Sequence, residues 1–116
     1  MSKQSEQAKK LASQYVDQLS GWAKINTRSL FGATALYRHD QVFAMVWRGA
    51  LYFKVDDESR GEYELVGSQP LGYESQGENH ALKSYLEVPV EVLEDEDELN
   101  KWAERAYQAA LKSAKS

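Results

Sequence analysis

The chain has 116 residues, 42% of them hydrophobic and 28% charged, with a net charge of −4. That is long enough for one domain with a core and too apolar for a disordered chain. The absence of cysteine excludes disulfides, thiolate metal sites and thiol nucleophiles together, and no apolar run approaches the ~18 to 20 residues that cross a bilayer.

Residues 1–28 carry five Lys/Arg against two Asp/Glu, residues 29–86 five against eight, and residues 87–116 four against eight. Binding to nucleic acid draws mainly on a concentrated basic face, and this balance makes direct nucleic-acid binding an unfavoured expectation. MSKQSEQAKK has no apolar signal segment, so a cytoplasmic location is expected, with no membrane association.

Ala8, Leu11, Ala12, Tyr15, Leu19 and Trp22 recur at the spacing of an amphipathic helix, with Lys9, Lys10, Gln14 and Gln18 on its other side. Ser20-Gly21 supplies a stop. From residue 27 to 55 the period changes to that of strands, with turn signals at Gly32, His39-Asp40 and Arg48-Gly49. Asp56 or Asp57 can cap a second short helix that ends near Gly67. Two weaker strands are expected near 70–74 and 82–88, joined by the polar loop SQGENHA, with Pro89 closing the sheet region. The final helix starts at an acidic capping box, Asp95 and Glu98, and carries its apolar stripe on Leu99, Trp102, Ala103, Ala106 and Ala110. The predicted fold is α+β, one domain over residues 1–116 in the order α-β(3)-α-β(2)-α, an antiparallel sheet with flanking helices.

Two-residue turns at His39-Asp40 and Arg48-Gly49 sort the side chains of the central strands. One face collects Val42, Ala44, Val46, Leu51, Phe53 and Val55 with Ala33, Ala35 and Tyr37, a small aliphatic set suited to helix packing. The other collects Leu36, Phe43, Met45, Trp47, Tyr52 and Lys54, large apolar bodies mixed with polar tips. Two readings of this mixed face stand side by side. It is covered by a helix of the same chain, or it is a contact surface for another subunit or protein, for which Trp, Tyr and Met are the enriched residue types.

Catalytic signatures are few. Neither GxxxxGK[ST] nor GxGxxG occurs, so a phosphate cradle has no support, and no serine lies in a G-x-S-x-G setting. His39-Asp40 reads as a turn, His80 with Glu78 as a solvated loop, and the acidic run Glu94 to Glu98 as a helix start matched to the helix dipole. No catalytic, cofactor-binding or metal site is expected, and the protein is read as non-enzymatic.

Several stretches taken together resemble the N-terminal domain of the TfoX/Sxy family, which includes bacterial regulators of natural competence. They are Arg28 followed by Phe31-Gly32, the pair Leu36-Tyr37, Phe43, LYFKVD at 51–56, LGY at 71–73, and Tyr85 leading into EVP. The resemblance covers nearly the whole chain from about Thr27, and it implies the same helix and strand order together with a secretion-chaperone-like arrangement. The chain departs from the family pattern where Ala33, Thr34 and Ala35 replace a glycine-rich continuation and where His39-Asp40 replaces an Asp-Gly hairpin. It is expected to be that domain standing alone, without the C-terminal domain of the longer competence regulators. By resemblance, its role would be regulation of competence or related gene expression through protein contacts, with a protein partner or a homodimer. An alternative is a small-ligand- or metal-binding protein with hydrolytic activity, using the concave side of the sheet near Arg28 and Tyr73. For Arg28, Phe31 and Gly32 both a structural role (a buried Arg paired to a carboxylate, with Gly32 at a bulge) and an exposed anion or partner site fit the residue types.

Overall fold

A computed structural model describes residues 3–30, 33–75 and 78–115. The elements, in chain order, are α1 (Lys3–Gln18), β1 (Asn26–Leu30), β2 (Ala33–Arg38), β3 (Gln41–Trp47), β4 (Ala50–Lys54), α2 (Asp57–Leu65), β5 (Pro70–Ser75), β6 (Glu78–Glu87), α3 (Val90–Leu93) and α4 (Glu96–Lys115). All six strands form one sheet of order β1-β2-β3-β4-β6-β5 in which every neighbouring pair is antiparallel. The fold is therefore α+β, as the element pattern implies.

The strand count differs from the sequence reading. The first run holds four strands, because the polar segment NTRSL ahead of Ala33 pairs along the whole of β2, from Asn26 opposite Tyr37 to Leu30 opposite Ala33. Exposed polar residues carry little periodic signal, and only the ladder partner makes this segment a strand. Similarly, β5 and β6 extend into SQGENHA, and His80 lies in a strand opposite Tyr73 rather than in a loop.

Local chemistry explains the element ends. At α2, Asp56 Oδ1 accepts the Ser59 N–H at 2.9 Å and Ser59 Oγ accepts the Asp56 N–H at 3.0 Å, a reciprocal capping box. Gly67 then turns the chain with φ +72°. At α4, Asp95 Oδ1 accepts the Glu98 N–H at 3.2 Å. The two hairpin turns fall at His39-Asp40 (φ 49° and 64°) and Arg48-Gly49 (φ 47° and 80°). Positive φ at both central positions is the primed turn whose twist matches that of paired strands.

The second hairpin has the expected register, with Trp47 opposite Ala50 and Met45 opposite Tyr52. The first does not keep it. Arg38 stands opposite Gln41 and Tyr37 opposite Val42, but then Leu36 stands opposite Ala44, Ala35 opposite Met45 and Thr34 opposite Val46. Phe43 is the extra residue of a β-bulge, which lets Phe43 and Ala44 both face the same side as Leu36. All three are 0% exposed in the core that the helices cover.

That core joins Ala12 and Tyr15 of α1, Leu19 just after it, Tyr63 of α2, Val92 of α3 and Leu99, Ala103, Ala106 and Ala110 of α4 to one face of the sheet. The alanine stripe of α4 lets its backbone lie close to β3 and β4. A second lock sits at the edge of this layer. The Arg38 guanidinium lies 4.6 Å from the ring of Trp22 and 4.7 Å from that of Tyr107, and reaches Glu104 Oε1 at 3.4 Å. Trp22 Nε1 donates to the same carboxylate oxygen at 3.1 Å. The end of β2, the segment after α1 and the middle of α4 are thereby tied at one point. Among the described residues no helix is long and apolar enough to cross a membrane.

A candidate interaction face on the outer side of the sheet

Alternation along the strands assigns the other side of the sheet. Across its middle run Arg28, Ala35, Met45, Tyr52 and Glu87, each directly opposite the next in neighbouring strands. On one side of this row lie Asn26, Tyr37 and Val42, with Lys54 opposite Tyr85; on the other lie Ala33, Trp47 and Ala50. Tyr52, Leu71 and Tyr85 form a second apolar cluster, and Met45, Trp47 and Ala50 pack against it. Every member of that cluster comes from a strand or from the residues at a strand's end.

The sequence-derived surface is corrected at two positions. Leu36 and Phe43 belong to the helix-covered core, because the bulge at Phe43 turns both inward. Met45, Trp47, Tyr52 and Lys54 do share the outer face. Conversely Ala33, Ala35, Tyr37 and Val42, expected among the core-facing set, lie outward with them. Ala35 is 0% exposed even so, because the larger side chains of the row close over it.

Of the two readings of Arg28, the structure fits the exposed one. The residue is exposed, and its guanidinium lies 5.4 Å from the Tyr37 ring with no carboxylate partner among the described residues, so it is not a buried ion-pair arginine. Asn26, Arg28, Tyr37 and Asp40 line a shallow cleft at this edge. Phe31 and Gly32 lie outside the described residues. His39 occupies its turn as expected, with its ring 6.5 Å from that of Tyr107.

Two further cations on this face also rest on rings, Arg48 at 4.4 Å from Trp47 and Lys54 at 5.2 Å from Tyr85. Burial sets the electrostatics of the face. It pushes the Tyr85 hydroxyl up to about 12, with Tyr37 adding to the shift. It raises Tyr52 in the same sense, helped by the Glu87 carboxylate and opposed by Arg48. Desolvation lowers the Lys54 ammonium. Burial thus favours the neutral hydroxyl of both Tyr52 and Tyr85. Among the described residues no three His, Asp or Glu side chains converge as metal ligands would.

Sequence reasoning missed Tyr37, Ala35 and Tyr85 as members of this face. The first two were displaced by the bulge. Tyr85 lies on β6, whose partner strand cannot be read from local spacing.

A family model described as the TfoX N-terminal domain matches residues 17–110. The matched span runs from the end of α1 to the last turns of α4, so it includes the whole sheet and the outer face. No curated protein matches the chain.

Proposed function

The chain belongs to the TfoX N-terminal domain family, and from that membership together with the outer sheet face we propose that it is a non-enzymatic protein-interaction domain. In this reading it acts in the cytoplasm, in the control of natural competence or related gene expression, through contacts made by the outer face. The observation that carries the proposal is the outward apolar cluster of Tyr52, Leu71 and Tyr85 flanked by half-buried Met45 and Trp47. A strand such as β3, apolar on both sides, buries both sides when its sheet is assembled with a partner.

Trp47 is the side chain to test, being half-buried, aromatic and on the outer side. Wild type and Trp47→Glu are compared by sedimentation and by capture from lysate with identification of the retained proteins. The proposal expects the variant to stay folded and to lose either a self-association or a transcription-associated protein that the wild type retains. A folded variant with unchanged mass and an unchanged set of retained proteins overturns it.

A further inference from the structure

Resting on the proposed interaction face, we propose that the partner it takes is an acidic protein segment, in which Asp or Glu side chains flank an apolar anchor. Arg28, Arg48 and Lys54 all belong to the outer side or its rim, and each is stacked on an aromatic ring of the same side: Tyr37, Trp47 and Tyr85. None of the three has a carboxylate partner among the described residues. Several cations of the helical side, by contrast, do have carboxylate partners. Arg38 is held by Glu104, Lys101 by Glu98, Arg105 by Glu62, and Lys112 by Asp56 and Glu58. In a chain of net charge −4, carboxylates are in excess, yet the outer cations are left to rings. The described acids near them are Glu87 in the middle row and Asp40 in the cleft beside Arg28.

Stacking has a chemical consequence. A guanidinium lying on a ring has lost one face to the ring, but its N–H edges still point outward in the plane, preset for a two-pronged carboxylate contact. The ring fixes the cation in advance, so less side-chain freedom is lost when an anion arrives. Half-buried Met45 and Trp47, on the same side as these cations, supply the apolar surface that the anchor of the incoming segment would meet.

A single-stranded nucleic acid would also present anions, but its bases need free aromatic faces. Tyr52 and Tyr85 are each only 8% exposed, and Tyr37 and Trp47 already carry cations. Carboxylates fit better than bases.

The test uses a fluorescein-labelled peptide of about a dozen residues alternating Glu with Leu, its Gln-for-Glu counterpart, and a single-stranded oligothymidylate. Binding is read by fluorescence anisotropy on wild type, Trp47→Glu and the double variant Arg28→Gln/Arg48→Gln. Both arginines are exposed, so the double variant keeps its fold. The expected result is roughly tenfold weaker binding of the Gln peptide and a similar loss in the double variant. Binding of the Glu peptide should also weaken as salt rises from about 0.05 to 0.5 M. Equal binding of the two peptides, or an unaffected double variant, overturns the acidic partner; the interaction face itself then stands if Trp47→Glu still loses its contacts in the sedimentation and capture experiment. Tighter binding of oligothymidylate than of the Glu peptide overturns it in favour of nucleic acid.

Discussion

Replacing Phe43 with Ala tests the bulge on which the assignment of both faces depends. The ring is 0% exposed, with its centroid 5.5 Å from Trp22 in an edge-on contact and 6.1 Å from Phe53. Truncating a fully buried Phe costs about 3–5 kcal/mol, the two ring contacts included. Against a total of roughly 5–15 kcal/mol for a domain, that is a large share. At ~4 °C per kcal/mol for a chain of this size, the midpoint should fall by about 12–20 °C. Met45→Ala, two positions along and half-buried on the outer side, should cost only about 1–2 kcal/mol. Urea denaturation followed by far-UV circular dichroism measures both. Near-UV circular dichroism of Phe43→Ala should also change, since Trp22 loses its ring neighbour. Were Met45→Ala to cost more than Phe43→Ala, the bulge would be misplaced, and Phe43 would return to the outer face with the simple two-residue alternation.

Two further outcomes follow from buried groups. Thr34 faces the core opposite Val46 at 3% exposure, and its hydroxyl has no hydrogen-bond partner among the described residues. Thr34→Val should therefore stabilise the domain by on the order of 1 kcal/mol in the same urea titration, and a loss of stability would mean that the hydroxyl is satisfied. Tyr85 titrates near 10 when unfolded and about 12 when folded, so above pH ~10 the unfolded chain releases a proton that the native one keeps. Its contribution is complete below pH ~10 and is lost as pH rises toward 12. Tyr85→Phe should flatten the fall in denaturation midpoint across that window, and an unchanged slope would refute the assignment.

Whatever depends on neighbours a few residues apart is legible along the chain. The amphipathic stripes of α1 and α4, the Asp56 cap with Ser59 three residues on, the stop at Gly67 and both tight turns are local, and each lies where spacing predicted. The second hairpin kept its register because no core side chain competed with the turn geometry. Tertiary structure alone decided the first. Leu36 has Phe43 and Ala44 opposite it because the helix layer gains more from a second aromatic side chain in the core than the ladder loses by one irregular pair. That choice moved Tyr37 and Ala35 outward, brought Arg28 onto a ring instead of into an ion pair, and set Tyr85 of a distant strand beside Lys54. A periodic pattern states which residues alternate, but only the competition for buried volume states where the alternation breaks.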